Sequence, residues 1–197
     1  MGPSGAGKDS VLRYARANLG PYDRIAFAHR YITRPPDITG ENHVALTREE
    51  FELRRESGLF AFDWRAHDTL YGIGIEIEAW QQAGITVVLN GSREHYATLK
   101  CNARNLASIL ITARPELLAD RLYSRGRESK ADILTRLQRD AVSPNDPRTT
   151  VIDNSGELEV AGAQFLRILH SLAQPFTKSP QEGSAREYEM ATNDHPA

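Results

Sequence analysis

Apolar residues recur at helical spacing on Val11, Leu12 and Ala15 and alternate with polar ones from Arg24 to Thr33. They crowd together in Ile85–Leu89 and again in Leu106–Thr112. The first pattern predicts a helix from Asp9 to Asn18, stopped by Gly20-Pro21; the second predicts a strand over residues 24–33. The two crowded runs predict strands buried on both faces of a parallel sheet. Pro35-Pro36 and Gly40 then break the pattern, and Thr47-Arg48-Glu49-Glu50 forms a capping box ahead of a short helix carrying Phe51 and Leu53. Phe60–Trp64 alternates once more, so residues 34–72 read as a small mixed insertion.

Beyond the insertion, helical segments over Ile75–Gln82, Arg93–Arg104 and Pro115–Tyr123 separate the buried strands. Arg125-Gly126-Arg127 interrupts the last of these, and Lys130–Ala141 resumes it. Thr149–Ile152 is the last predicted strand and Leu158–Leu172 the last helix. Strands and helices in turn imply an α/β fold of three layers, a mostly parallel central sheet with helices on both faces.

Composition narrows the setting. The chain has 197 residues, 40% of them hydrophobic, enough for one substantial core with small inserted parts. From Gln174 onward Pro, Ser, Glu, Gly, Asn and Asp prevail, so residues 174–197 are expected to be a disordered polar tail after an ordered domain over 1–173. Lys178 and Arg186 against Glu182, Glu187, Glu189 and Asp194 let that tail carry the whole net charge of -2, leaving the folded part near neutral. A near-neutral fold without interleaved basic and aromatic stripes gives no reason to expect nucleic-acid binding. Cys101 stands alone, which excludes an internal disulfide framework and a cysteine metal cluster and fits a reducing compartment. No apolar run reaches the roughly 20 residues that span a bilayer, and no charged-then-apolar leader opens the chain, so the cytoplasm is the expected location.

The chemistry starts at Gly2-Pro3-Ser4-Gly5-Ala6-Gly7-Lys8-Asp9-Ser10, which follows the G-x-x-x-x-G-K spacing of a phosphate-binding loop. Glycines allow successive backbone N–H groups to face one anion, Lys8 brings a mobile charge to the β- and γ-phosphates, and the helix starting near Lys8 adds its positive end. Asp9 occupies the place where a magnesium-binding hydroxyl usually stands. A carboxylate there repels phosphate unless a cation lies between, so Asp9 is read as a Mg2+ ligand, direct or through water, and Ser10 as the phosphate-contacting hydroxyl. An ordinary glycine-rich helix entry is the competing reading, and four spaced matches that include the lysine weigh against it.

Arginines cluster at strand ends and helix breaks: Arg30 and Arg34, Arg93 after Asn90-Gly91-Ser92, then Arg121, Arg125, Arg127 and Arg136. Planar guanidinium groups grip phosphate in bidentate fashion, so arginines converging from separate segments imply a ligand with several phosphates. Arg125-Gly126-Arg127 is expected to be a mobile lid over residues 125–130. His29, His43 and His67 lack the spacing of a helical metal site, and no metal is assigned to them.

The loop, Thr33-Arg34-Pro35, Gly40-Glu41-Asn42-His43, Tyr71-Gly72 and the arginine-rich segment together resemble the guanylate kinase superfamily of P-loop kinases. Within it, Gly7-Lys8-Asp9-Ser10, His29–Arg34, Glu41-Asn42-His43, Tyr71-Gly72-Ile73-Gly74, Asn90–Arg93 and Arg125-Gly126-Arg127-Glu128 look closest to the ribose 1,5-bisphosphate phosphokinases. Pro36, His43 and Asn90 depart from the guanylate kinase pattern, where a second arginine, a tyrosine and an acidic residue are usual. The resemblance implies ATP-dependent phosphorylation of ribose 1,5-bisphosphate to 5-phospho-α-D-ribose 1-diphosphate. It implies ATP and Mg2+ held by Gly2–Ser10, and an acceptor pocket shaped by Arg30, Arg34, His43, Tyr71 and Arg93 within the insertion. It also implies charge neutralisation by Lys8, Arg34, Arg125 and Arg136, with Arg121, Arg125, Arg127 and Arg136 forming or supporting the lid. Related kinases place the adenine near the loop Asp153-Asn154-Ser155-Gly156, which reads equally well as a plain turn and helix cap. Guanylate kinase activity on GMP and a non-catalytic guanylate kinase-like binding module are the alternatives.

One expectation concerns the first residues. In parallel folds the phosphate loop follows a buried strand of about 5 residues. Here that strand has no room, so Met1 is expected to be an internal methionine of a longer chain, or else the protein to be unstable.

Overall fold

In a computed structural model of the chain, which describes residues 1–35, 43–66, 68–91, 96, 106–124, 146, 147 and 149–173, the elements follow in this order: α1 (Lys8–Ala17), β1 (Ile25–Phe27), β2 (Arg30–Ile32), β3 (Val44–Ala45), α2 (Arg48–Glu56), β4 (Phe60–Ala66), β5 (Thr69–Gly74), α3 (Glu76–Gln82), β6 (Thr86–Val88), β7 (Ser108–Thr112), α4 (Pro115–Ser124), β8 (Thr149–Asp153) and α5 (Leu158–Leu172). The predicted helices over 93–104 (Tyr96 apart) and 130–141, the lid at 125–130 and the tail at 174–197 lie outside the described residues. So do Cys101 and His67.

Local chemistry sets the helix ends. Asp9 sits in the first turn of α1 and Arg16 in the last, each matching the helix dipole. The Thr47 hydroxyl accepts from the Glu50 N–H at 3.1 Å, one half of the predicted capping box, while the Glu50 carboxylate turns to Arg54, and α2 follows. Phe51 on α2 is fully buried, whereas Leu53, expected beside it, is 64% exposed. On α5 the stripe Ala161, Phe165 and Leu169 repeats every four residues and meets Val11 and Ala15 of α1 in one core with Ile111 and Ile152.

Two parallel pairs underlie those helices. β1 runs beside β6 with Ile25 opposite Thr86, and β7 beside β8 with Ser108 opposite Thr149. Met1 extends the second pair on the other edge of β7: its amino group donates to the Ile109 carbonyl at 2.8 Å, and the Ile111 N–H donates to the Met1 carbonyl at 2.9 Å. That is the hydrogen-bond pattern of a parallel bridge, so the approach to the phosphate loop runs along β7.

A four-stranded sheet of order β3-β2-β5-β4 stands apart from these pairs. β5 is antiparallel to both of its neighbours, and β2 is parallel to β3. Phe51, Phe60 and Tyr31 pack on one another, with ring centroids 4.6 Å apart for Phe51–Phe60 and 5.5 Å for Tyr31–Phe60. Ile73 joins Ala28 and Ile77 in a second small core against Val87 and Leu89.

Two expectations are corrected, and one strand is added. The single strand over residues 24–33 is two, because the Ala28 N–H ends the β1–β6 ladder on the Val88 carbonyl and the chain then enters the other sheet. Alternation marks strands without saying which partner each takes. β5 is not among the predicted strands. Gly72 makes room for the Phe60 ring, three of whose atoms would crowd a Cβ there. Residues 86–88, expected to be fully buried, are half-buried, with β6 bonded to β1 alone among the described residues. No helix among the described residues is long and apolar enough to cross a membrane.

Candidate active site

The loop from Gly2 to Ser10 joins the β7 edge to α1, and its shape depends on glycines. Gly5 and Gly7 take φ of 85° and 78°, a region that other residues enter at a cost. A Cβ on Gly7 would also collide with the Asn154 carboxamide. Lys8 folds back over the loop, its Nζ donating to the Gly2 carbonyl at 2.8 Å and the Pro3 carbonyl at 2.9 Å. This holds the ammonium at the mouth of the loop, ahead of the α1 N-terminus. Its charge is felt nearby: burial first, and Lys8 second, push the Met1 amino group from 8.0 down to about 5.

Two side chains from distant segments hold the outer side of the loop. Asn154, just after β8, is 4% exposed and donates from Nδ2 to the Ala6 carbonyl at 2.8 Å. Arg121, in the last turn of α4, donates from Nη1 to the Gly5 carbonyl at 3.3 Å and from Nη2 to the Asn154 carbonyl at 3.1 Å. An open cleft of about 400 Å3 lies beside this arrangement, lined among others by Gly7, Ser10, Asp120, Arg121, Asn154 and Gly156. Arg121, expected to form or support a lid, ties α4 to the loop.

Asp9, in the first turn of α1, meets Asn90. The Asn90 carboxamide, 8% exposed at the end of the β6 segment, donates from Nδ2 to Asp9 Oδ1 at 3.2 Å. Among the described residues no group of three or more His, Cys, Asp or Glu side chains is placed to hold a metal by itself. Asp9 would therefore hold a cation only together with oxygens from outside the protein, phosphate or water, which is the usual arrangement for Mg2+.

Of the expected acceptor residues, the four-stranded sheet brings Arg30 and Tyr71 together, with the guanidinium 5.3 Å from the ring centroid. Tyr71 in turn stacks on Trp64, its register partner, with centroids 5.3 Å apart and planes 9° from parallel. Such a column fixes the Arg30 head group by cation–π attraction. His43 is 8% exposed and its Nε2 lies 3.2 Å from the Arg34 carbonyl, so it braces the backbone at Arg34. Arg93, Arg125, Arg127 and Arg136 lie outside the described residues. Trp64 and the tie from Asn154 to the loop had no signal in the sequence that singled them out. Asn154 and Ala6 are 148 positions apart.

No protein-family model matches the chain. It is 47% identical over 171 residues to "Ribose 1,5-bisphosphate phosphokinase PhnN" of Thiobacillus denitrificans, covering 86% of this chain and 90% of that protein. It is 48% identical over 176 residues to the protein of the same name from Burkholderia pseudomallei, covering 88% of this chain and 95% of that one. Among solved structures it superposes on guanylate kinase from Anaplasma phagocytophilum with a TM-score of 0.59 at 16% identity, over 87% of this chain and 84% of that one, a likeness of fold alone.

Proposed function

The chain belongs to the ribose 1,5-bisphosphate phosphokinase family, and on that premise we propose that it transfers the terminal phosphoryl group of ATP to ribose 1,5-bisphosphate. The products are 5-phospho-α-D-ribose 1-diphosphate and ADP. An oxygen of the acceptor's 1-phosphate forms a bond to the γ-phosphorus, the bond from that phosphorus to the β,γ-bridging oxygen breaks, and ADP departs with the electron pair. A phosphate monoester has its second pKa near 6, so at neutral pH the acceptor is already an anionic nucleophile and needs no general base. The obstacle is repulsion between two polyanions.

The residues of this chain meet that obstacle by placement. The loop N–H groups and the α1 N-terminus bind the donor phosphates, and Lys8, poised on the Gly2 and Pro3 carbonyls, moves onto the β,γ-phosphates. Asp9, oriented by Asn90, together with Ser10 would hold magnesium, which when bound neutralises phosphate charge and aligns the oxygens. Arg30, fixed on Tyr71, and Arg34, braced by His43, draw the acceptor's phosphates toward the donor. Arg93, Arg125 and Arg136 complete the charge balance in this reading, and the cleft beside Asn154 and Gly156 receives the donor's base.

The observation that carries the reading is a phosphate loop with its lysine in place, in a chain close to half identical to relatives of that name. Phosphoryl transfer from ATP to ribose 1,5-bisphosphate, GMP and ribose 5-phosphate, measured side by side, tests it. Turnover on ribose 1,5-bisphosphate is expected to exceed the other two, and preference for GMP overturns the acceptor. Lys8→Ala is expected to lower kcat by about 100- to 1,000-fold, the loss typical of one transition-state charge contact. Unchanged turnover in that variant removes the donor assignment.

A further inference from the structure

We propose that Asn154 and Arg121 are positioning residues for the phosphoryl donor, holding the carbonyl side of the phosphate loop so that its N–H side faces the donor's phosphates. In a trans peptide the carbonyl and the following N–H point in opposite directions. Asn154 Nδ2 fixes the Ala6 carbonyl, which turns the Gly7 N–H to the opposite side; Arg121 Nη1 fixes the Gly5 carbonyl, which does the same for the Ala6 N–H. The Ala6 N–H crosses the loop to the Pro3 carbonyl at 3.3 Å, a long bond that a phosphate oxygen can replace. Gly5 and Gly7 flank these peptides, and glycine reaches many conformations at little cost, so the loop needs outside anchors to stay in one of them.

The anchors are themselves fixed. The Asn154 N–H donates to the Thr112 carbonyl at 2.7 Å, and the Asn154 carbonyl accepts from Arg121. The buried carboxamide sits where Gly7 has no Cβ, so the glycine and the asparagine fit only as a pair. The loop is thereby bound to the end of β8 and to α4, two elements that reach it from more than 100 positions away. Donors held in place before the ligand arrives give their full attraction at no cost of reorganisation. The proposal rests on the loop being the donor site and is independent of which acceptor is used.

Calorimetric binding of ADP reads it directly, since it requires neither turnover nor acceptor. Asn154→Asp keeps the shape and turns a donor into a carboxylate facing the Ala6 carbonyl. At pH 8 it is expected to weaken ADP by about 10- to 100-fold, the loss of one buried hydrogen bond with its partner left unmet. Arg121→Met is expected to weaken ADP by about 3- to 10-fold, and Arg121→Lys to recover part of that loss. In both series KM for the acceptor stays within about twofold while KM for ATP rises in step with the ADP constant.

ADP affinity within about twofold of the unsubstituted chain in Asn154→Asp and Arg121→Met overturns the proposal. So does equal weakening of donor and acceptor, which would mean that the whole fold had loosened. If Asn154→Asp does not fold, the Arg121→Met and Arg121→Lys pair decides alone by the same criteria. A chain that binds ADP, responds to these substitutions and yet transfers nothing to ribose 1,5-bisphosphate refutes the acceptor and leaves the positioning role standing.

Discussion

Gly162 lies inside α5, where the usual rule for helices recommends alanine. In an open helix interior the change from glycine to alanine stabilises by about 0.5–1 kcal/mol, because glycine loses more backbone freedom on folding. Here a Cβ would collide with three atoms of the Tyr14 ring, which lies on α1 over the missing side chain. Relieving the collision requires either that the partly exposed ring swing out and lose its packing or that α1 move off α5. Overpacking of this kind costs about 1–3 kcal/mol. The collision outweighs the propensity gain, and Gly162→Ala is expected to destabilise by about 1–2 kcal/mol, near 2–4 °C in Tm per kcal/mol for a chain of this size. In a Tyr14→Ala background the same substitution meets empty space and is expected to stabilise by about 0.5–1 kcal/mol. Urea unfolding of the two single variants and the double variant gives the coupling, expected near 2 kcal/mol. Since α1 begins at Lys8, the single variant is also expected to bind ADP more weakly, and Tyr14→Ala to relieve that. A Gly162→Ala chain that is more stable than its parent, with no coupling to Tyr14, refutes the reasoning.

Two further outcomes are expected. In a chain with a free amino group at Met1, burial holds that group at about 5 in the folded state against 8.0 when unfolded. The unfolded chain alone binds this proton between those values, so stability from this source is greatest above pH 8 and falls by up to about 4 kcal/mol as the pH drops to 5. Urea unfolding of the free and Nα-acetylated chains over that range should diverge toward acid, and identical pH dependence would contradict the assignment. At the cation site, Asp9→Ser is expected to weaken Mn2+ binding to the ADP complex by about tenfold, as read by electron paramagnetic resonance, and Asp9→Ser combined with Asn90→Asp to restore it by returning a carboxylate across the same 3.2 Å pair. No change on removing the Asp9 carboxylate would exclude it from the site.

What could be read in advance was what neighbours in sequence decide. The α5 bounds, the Thr47 cap and the loop with Lys8 all depend on residues within about four positions of one another, and each forms where its pattern indicated. Pairing partners were not legible in the same way. Residues 24–33 alternate throughout, yet Ala28 closes one ladder and Arg30 opens another. The site divides likewise: Arg30 stood out as an arginine at a strand end and Tyr71 through the family resemblance, while the stacking of Tyr71 on Trp64 follows from the β4–β5 register. Asn90 stood out as a departure from a family pattern, but its partner Asp9 is 81 positions away.

The register of the four-stranded sheet has a consequence for how acceptors could be exchanged. Arg30, where the chain enters that sheet, is the cross-strand partner of Ile73, one residue before the β5 strand ends. Entry and exit are thus about 5 Å apart, the spacing of paired strands. A segment whose two ends meet can be lengthened, replaced or removed with little strain on what it is spliced into. The four-stranded sheet is in this sense a cassette: β1 and β6, which lie on either side of it in sequence, are bonded to each other and not to it. If this sheet holds the acceptor, as proposed above, grafting another between Ala28 and Gly74 is expected to change what is phosphorylated while Lys8, Arg121 and Asn154 keep their places at the phosphate loop.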